Sequence, residues 1–110
     1  MSTIAQTIED NALDRPDGTA FLTGARRLTW SGYASRSDAL ADLLCSLGLK
    51  PGERMAILLP DGPGVHVAFV ATEKAGLVAV GIGARAGRSE IEHLLHTSGA
   101  VALLLSLIHI

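Results

Sequence analysis

The spacing of apolar residues near the N-terminus predicts a helix. Four of these residues recur at helical spacing: Ile4, Ile8, Ala12 and Leu13. Thr3 and Gln6 stand three residues apart, as in a capping box, so the helix is expected to begin at Thr3. The turn-forming stretch 15–18, with the sequence Arg-Pro-Asp-Gly, is expected to end it.

A hairpin and a longer helix are predicted next. Thr19–Thr23 and Arg27–Trp30 are short strand candidates on either side of the turn Gly24-Ala25. From Ser31 to Leu47 the apolar residues again repeat at helical spacing, and Gly48 is the expected left-handed terminator. The apolar positions of this helix are Tyr33, Leu40, Leu44 and Leu47, with Leu43 beside them.

The second half contains three segments that are apolar throughout instead of alternating. These predicted strands are Arg54–Leu59, Leu77–Ile82 and Val101–Leu105. Two predicted helices separate these strands. The first is capped by Asp61, has Pro63 in its first turn, and runs to Ala75 before Gly76 ends it. The second begins at the capping-box spacing Ser89-Glu90-Ile91-Glu92 and runs through about Leu95, before Gly99. Strands without polar alternation occur in sheets that helices cover on both faces. The sequence therefore predicts an α/β fold: a βαβαβ parallel-sheet unit with right-handed crossovers, preceded by an N-terminal helix and a short β-hairpin.

Composition limits the classes of protein that this chain can belong to. Its 110 residues are enough for one domain, and 48% hydrophobic residues exclude a disordered chain. A net charge of −2 without long charged runs argues against nucleic acid or an anionic membrane as a partner. No apolar run approaches the length of a membrane span, about 18–20 residues, and the N-terminus lacks the pattern of a secretory signal. The single cysteine cannot form an internal disulfide. These three observations together lead us to expect a cytoplasmic location. The charged fraction of 18% is low for so small a domain, which suggests either a tightly buried fold or a surface that is partly covered by something else.

One glycine-rich stretch invites a nucleotide-binding interpretation. Gly81–Gly87 follows a predicted strand and precedes a predicted helix, where backbone amides can hold a pyrophosphate. Its spacing is Gly-x-Gly-x-x-x-Gly, however, and no acidic ribose reader follows about 20 residues on. A loop in which glycine eases close backbone approach is therefore the favoured interpretation.

The remaining reactive side chains do not form a recognisable set. His93 and His96 are three residues apart, with Glu90 or Glu92 near them, whereas helical zinc-binding pairs are normally four apart. Surface positions are therefore expected for the four histidines, which are His66, His93, His96 and His109. Cys45 is expected to be a buried, inert thiol. The residues thus predict no catalytic, cofactor-binding or metal-binding side chain in this chain.

Several blocks of sequence, in order, resemble the beginning of the adenylate-forming (AMP-binding) enzymes, which include acyl-CoA synthetases, luciferases and nonribosomal peptide adenylation domains. Those enzymes typically read Leu-Thr-Tyr-x-Glu-Leu, then Gly-x-x-Pro-Gly-Asp-Arg-Val-Ala-x-x-Leu-Pro-Asn, then Lys-Ala-Gly and an apolar strand. The matching blocks here are Arg15–Phe21, Leu28-Thr29-Trp30, Gly48–Asp61, Lys74-Ala75-Gly76 with Leu77–Val80, Arg85, Glu90-Ile91, Leu94-Leu95 and Ser98-Gly99-Ala100. Trp30 replaces the usual Tyr, Gly32 the usual Glu, Asp61 the usual Asn, and Gly81 the usual Pro.

The resemblance implies that residues 1–105 are the N-terminal portion of an AMP-binding synthetase or ligase domain, part of the large N-terminal domain of that fold. The parent would use ATP, Mg²⁺ and CoA to activate a carboxylic acid and transfer its acyl group. The family's phosphate loop, ribose-binding Asp and adenylating Lys match nothing in this chain, so no catalytic residue is carried over and the isolated chain is expected to be inactive. Its expected partner is the remainder of the parent domain.

Three alternatives stay open at this point. A nonribosomal peptide adenylation domain would deliver the acyl group to a carrier protein instead of CoA. A small stand-alone module would bind a nucleotide through Gly81–Gly87, and an interaction fragment would have no catalysis.

The last five residues, 106–110, are expected to be a non-native tail, because their sequence Ser-Leu-Ile-His-Ile resembles a translated sequencing adapter. The alternative is a natural strand end.

Overall fold

The computed structural model describes residues 3–24, 26–60, 62–83 and 85–105. Asp61, His109 and the 106–110 tail therefore lie outside the described residues. The elements follow in the predicted order: α1 (Ile4–Asp14), β1 (Thr19–Thr23), β2 (Arg26–Thr29), α2 (Trp30–Ser46), β3 (Arg54–Leu58), α3 (Pro63–Lys74), β4 (Val78–Gly81), α4 (Arg88–Ser98) and β5 (Ala102–Leu105). None of the described helices is long and apolar enough to cross a membrane.

The three apolar strands form a parallel sheet in the order β4-β3-β5. Met55 of β3 pairs with Ala79 of β4 on one side and with Ala102 of β5 on the other. Side chains alternate along β3, so Met55 and Ile57 pack on the side of α2 and α3, whereas Ala56 faces α4. The predicted βαβαβ unit is confirmed, with its two crossover helices on opposite faces.

The face covered by α2 and α3 holds the tightest packing of the sheet. Small residues let α2 and α3 approach each other closely; these are Ala34, Ser37 and Ala41 on α2, and Ala68, Ala71 and Thr72 on α3. Ser37 and Thr72 are fully buried, and their hydroxyls donate to carbonyls of their own helices, Tyr33 O at 2.8 Å and Ala68 O at 2.7 Å. These bonds satisfy the hydroxyls where no water reaches.

The opposite face of the sheet is covered less completely. Ile91, Leu94 and Leu95 of α4 pack towards Ala56, yet each is only partly buried, and α4 contains no buried residue. Leu103 of β5 pairs with Ala56 and so lies on this face, where it is 39% exposed. Helices therefore lie on both faces of the sheet, as predicted, but among the described residues α4 leaves part of its face exposed.

Helix α1 packs on α2 and α3 through a narrower stripe than predicted. Ile8 is buried and Ala5 and Ala12 pack beside it, a spacing of three and four residues. Ile4 and Leu13 were placed on the same face, but they are 67% and 84% exposed. At the helix start, Thr3 Oγ1 accepts from Gln6 N at 3.0 Å as predicted, while the Gln6 side chain donates to Asp10 Oδ1 instead of returning to Thr3.

The second helix also differs from its predicted face and start. Trp30 was assigned to a strand, but it is the first residue of α2, because Thr29 Oγ1 accepts from Gly32 N at 3.0 Å and caps the helix. Leu47 was placed in the core and is 67% exposed, since the small residues of α2 form the contact with α3. Gly48 has the predicted left-handed conformation, with φ 84°.

Further predicted boundaries shift at the second half of the chain. Gly62 is the N-cap of α3, and Gly87 caps α4, so Ser89 lies inside that helix and does not cap it. Neither cap supplies a side-chain hydrogen bond. The three strands are one or two residues shorter than predicted, although Ile82 N and Val101 N, just outside β4 and β5, still donate to carbonyls of β3.

Candidate functional site

A nearly buried lysine joins the three helices on the N-terminal side of the molecule. Lys74 at the end of α3 is 12% exposed, and its Nζ donates to Glu9 Oε1 of α1 at 2.6 Å and to Asp38 Oδ1 of α2 at 2.7 Å. It also donates to Ser37 Oγ at 2.8 Å. Burial lowers the pKa of Lys74, but the hydrogen bonds and charges of Asp38 and Glu9 outweigh it and hold the pKa above 10.5. An ammonium with all its donors engaged stabilises the helix packing and is not available to a phosphate.

The sequence alone predicts no role for this lysine. Lys74-Ala75-Gly76 indicates only the family resemblance. In the structure Ala75 ends α3 and Gly76 takes a φ of 77°, with its carbonyl accepting from Gly52 N at 2.8 Å. Each residue of the triplet therefore has its own structural role. Lys74 pairs with α1 and α2, Ala75 ends α3, and Gly76 joins the end of α3 to the turn before β3. A lysine within an apolar helix was the available signal, because such a residue normally has a paired acceptor.

An aromatic group lies beside an open apolar groove of about 580 Å³. The ring of Phe21 is 4.4 Å from that of His66 and 6.1 Å from that of Tyr33, measured between centroids. Tyr33 is buried, its hydroxyl donates to His66 O at 3.4 Å, and burial raises its pKa above 10.0, with a smaller opposing effect of the Lys74 charge. The groove is lined mainly by apolar side chains, including Ile4, Tyr33, Phe69, Val70, Leu77 and Ala79. His66 and Glu73 also line this groove, and its apolar wall can bury an apolar group.

The glycine-rich stretch connects β4 to α4, but the close backbone approach predicted for it is not found at Gly81, Gly83 or Gly87. Gly81 ends β4, and a Cβ there would lie 3.3 Å from Phe69 Cζ, so a larger residue would shift the partly exposed Phe69 ring by a few tenths of an ångström. Gly83 and Gly87 have open space around them and ordinary φ angles, and nothing in the described structure requires glycine there. Ala84 lies outside the described residues, so the nucleotide-binding alternative stays untested.

The other candidate side chains lie apart. His66, His93 and His96 are on the surface as predicted. Cys45 was expected to be buried but is exposed, because α2 turns Ala41 and Leu44 towards the sheet and its neighbour outwards. Within residues 3–24, 26–60, 62–83 and 85–105, no three His, Cys, Asp or Glu side chains form a group that could hold a metal ion.

The groups that the resemblance implies do not fit the described residues. Binding ATP with Mg²⁺ needs carboxylate or hydroxyl ligands and donors for the phosphates. No three His, Cys, Asp or Glu side chains among the described residues form a group that could hold Mg²⁺, and the sequence has no Gly-x-x-x-x-Gly-Lys-Ser/Thr loop. The ammonium of Lys74 is engaged by Glu9 and Asp38, and the guanidinium groups that share one open pocket are those of Arg26, Arg27 and Arg36. No chemical step is therefore assigned to these residues.

Comparisons with known proteins show which proteins this chain resembles in sequence and in fold. The AMP-binding enzyme family matches residues 8–109. The feruloyl-CoA synthase of an Amycolatopsis species is 36% identical over 89 residues, covering 81% of this chain and 18% of that protein. The long-chain-fatty-acid–CoA ligase of Yersinia pestis is 31% identical over 105 residues, covering 94% and 19%. The phosphinothricin tripeptide synthetase PhsC of Streptomyces viridochromogenes is 32% identical over 102 residues, covering 93% and 9%.

Solved structures give the same fold. The N-terminal subdomain of NpsA from Klebsiella oxytoca, in complex with 3-hydroxyanthranilyl-AMSN, superposes with a TM-score of 0.87 at 24% identity, covering 94% of this chain and 26% of that one. The chain spans a fifth or less of the length of the curated relatives that it matches. From the extent of the family match and the identity to these relatives, the chain belongs to the AMP-binding enzyme family.

Proposed function

We propose that this chain supplies the first part of an AMP-forming acid–thiol ligase. In the whole enzyme a carboxylic acid reacts with ATP to give an acyl-adenylate and pyrophosphate, and the thiol of CoA then displaces AMP to form the thioester. The observation that supports this proposal is the family match over residues 8–109, together with CoA ligases among the relatives above 30% identity. The cytoplasm is the proposed location.

Within that enzyme the described residues act as scaffold. The sheet β4-β3-β5 and the Lys74 contacts, which hold α1, α2 and α3 in one body, support this role, and no three His, Cys, Asp or Glu side chains of the described residues form a group that could hold a metal ion. Residues 1–105 would thus be an incomplete AMP-binding domain, and the catalytic residues would come from the rest of the parent.

A second candidate is the adenylation domain of a nonribosomal peptide synthetase. The identity to PhsC and the fold shared with NpsA favour it. The two candidates share the adenylation step and differ in the acceptor, which is CoA in one and a carrier protein in the other. A carrier domain with its attachment serine, encoded downstream in the same reading frame, would favour the peptide synthetase.

Pyrophosphate exchange tests the proposal in two steps. The isolated chain is expected to show no ATP–pyrophosphate exchange with any acid, and appreciable exchange would contradict its assignment as scaffold. The second step replaces the 89 matched residues of the Amycolatopsis feruloyl-CoA synthase with the corresponding residues of this chain. Exchange dependent on ferulate is expected in the graft, and a folded graft without exchange would contradict the proposal.

A further inference from the structure

We propose that a pocket lined by three arginines binds a diphosphate group, either free pyrophosphate or the diphosphate of a nucleotide. The pocket lies between β2, α2 and the beginning of α3, and its cationic side chains are those of Arg26, Arg27 and Arg36. This inference goes beyond the proposed function and does not depend on it, because binding of the anion needs no chemistry from the rest of a parent enzyme.

The fold brings the three arginines together from two elements. Arg26 and Arg27 belong to β2 and Arg36 to α2, and the pocket that they share has a volume of about 500 Å³. Leu28, the next residue of β2, also lines the pocket and is buried in one cluster with residues of α2 and α3. The strand and the two helices are therefore held together around the pocket, whose volume is in the range typical of small-molecule sites.

The described carboxylates do not neutralise the positive charge of this pocket. The ion pairs among the described residues are those of Lys74 and Arg88, and no Asp or Glu of the described residues lines the pocket. Three of the seven arginines of the chain thus lie together, although the net charge of the whole chain is −2. A local excess of like charges favours an anion that contacts several of them at once.

One of the three guanidinium groups is held in place by the hairpin. Arg27 Nε donates to Thr19 Oγ1 at 2.5 Å, and Arg27 Nη2 donates to Asp17 O. A guanidinium group has five N–H donors, so these two bonds leave others for a ligand. Ordering a long side chain is part of the cost of binding, and this cost is lower for Arg27 because the hairpin already fixes it.

A diphosphate matches these donors better than a single phosphate does. The planar fork of arginine binds phosphate oxygens in pairs. A diphosphate has two groups of oxygens and a higher charge, so it can accept from three guanidinium groups at once. Pro63 and Gly64 at the beginning of α3 also line the pocket, and this helix end adds about half an elementary charge, which is less than one guanidinium group supplies.

Titration of the full chain with inorganic pyrophosphate, followed by calorimetry at low salt, tests the inference. Pyrophosphate is expected to bind about 10-fold more tightly than inorganic phosphate. ADP separates the two sources: binding of pyrophosphate without ADP assigns the site to the free anion, and binding of ADP with similar affinity assigns it to the diphosphate of a nucleotide. Absence of binding by both, or equal binding of phosphate and pyrophosphate, would overturn the inference.

Substitutions of single arginines locate the site. Arg26→Gln and Arg36→Gln are each expected to weaken pyrophosphate binding about 10-fold, because each removes charge-assisted hydrogen bonds. Arg36→Lys keeps the charge without the planar fork and should recover only part of the loss. The matched control is Arg88→Gln, at a 92% exposed side chain that begins α4, which should change the affinity less than about 2-fold. Equal weakening by all three glutamine variants would indicate general attraction and overturn the inference.

Thermal unfolding provides a second readout. Arg26 and Arg36 are exposed, so without ligand the double variant Arg26→Gln/Arg36→Gln should have a Tm within about 2 °C of the unaltered chain. Saturating pyrophosphate should raise the Tm of the unaltered chain and leave that of the double variant unchanged, because a ligand stabilises only the state that binds it. An equal rise in both proteins would overturn the inference.

A carboxylate of the chain itself is the competing occupant. Asp61 directly precedes Gly62, the N-cap of α3, in the sequence and lies outside the described residues. Asp61→Asn removes this negative charge and is therefore titrated with pyrophosphate as well. Binding by this variant but not by the unaltered chain would overturn the inference, since the arginines would then be occupied by the chain's own carboxylate.

Discussion

Lys74 Nζ and Glu9 Oε1 lie 2.6 Å apart, joining the end of α3 to the middle of α1 across 65 positions of sequence. The Lys74 side chain is 12% exposed and the Glu9 side chain 42% exposed, so water reaches Glu9 more readily than Lys74 and weakens the ion pair from that side. Asp38 completes the pairing at 2.7 Å from α2. The three helices that form one side of the molecule are therefore linked by one cation.

Removing this cation is expected to destabilise the chain modestly. Lys74→Met keeps the packing of the aliphatic stem and loses both ion pairs, which should lower the free energy of unfolding by about 1 kcal/mol, since both carboxylates can turn to solvent. Urea denaturation followed by circular dichroism measures the change. The matched control is Lys50→Met, at the only other lysine, which is exposed and should change stability by less than about 0.3 kcal/mol. An equal loss for both variants would contradict the role given to Lys74.

The same group predicts a loss of stability at alkaline pH. The pKa of Lys74 in the folded chain is raised above its ordinary value of 10.5, so its contribution is fully present below 10.5 and is lost as the pH rises through the folded value. The pKa of Tyr33 is raised above 10.0 by burial and acts in the same direction. Stability should therefore decline from about pH 10 upwards.

The Lys74 share of that decline can be isolated in a Tyr33→Phe background, which removes the tyrosine titration. Denaturation midpoints measured from about pH 8 to 11.5 should fall more steeply with Lys74 present than with Lys74→Met. Parallel pH profiles for the two proteins would show that the ion pairs contribute nothing to the alkaline limit.

Two glycines, one in the first turn of α3 and one just beyond its C-terminal end, are expected to respond in opposite directions to alanine. Gly76 has a φ of 77°, and an added Cβ would meet Pro51 at an ordinary 3.6 Å, so Gly76→Ala should cost about 1 kcal/mol through backbone strain alone. Gly64 lies in the first turn of α3 with an ordinary φ and open space, so Gly64→Ala should stabilise by about 0.5 kcal/mol. Thermal unfolding of both variants checks the signs, and a stabilising Gly76→Ala would contradict the left-handed end of α3.

The cap of α2 is expected to matter more than the cap of α1. Thr29 Oγ1 accepts from Gly32 N in a partly buried position, where β2 passes directly into α2, whereas the bond from Gln6 N to Thr3 Oγ1 is exposed at a helix end. Thr29→Ala should therefore lower the free energy of unfolding by about 1 kcal/mol and Thr3→Ala by about half as much. Thr29→Ser, which keeps the hydroxyl, should recover most of the loss. Equal costs, or no recovery with serine, would argue against the cap.

The position of Gly32 shows how a local interpretation changes once packing is known. Gly32 stands where the family usually has Glu, and without that carboxylate the Thr29 cap lacks its reciprocal partner, so the sequence predicts a looser helix start. In the structure a Cβ there would lie 3.1 Å from Thr29 Oγ1 and 3.2 Å from Leu28 Cδ1. Glycine allows Leu28 to pack close under the cap, which is a contact that spacing along the chain does not reveal.

The sequence by itself determined the order and type of the elements and the parallel sheet. Glycine and proline end elements locally, as at Gly48 and Gly76, and unbroken apolar strands require helices on both faces. It also carried the family resemblance, because the matching blocks are contiguous stretches of chain.

Only the tertiary structure decided which helix faces are buried, what Lys74 binds and which strands are left at the edges. Small residues such as Ser37 and Ala41 bring α2 against α3, so Leu47 lies in solvent although its spacing predicted burial. The partners of Lys74 are 36 and 65 positions away in the sequence. Strand β3 lies at the centre of the sheet because the chain goes from β3 to β4 on one side and then passes over β3 to reach β5 on the other. These features depend on contacts between distant segments, and the periodicity of a single segment contains no information about them.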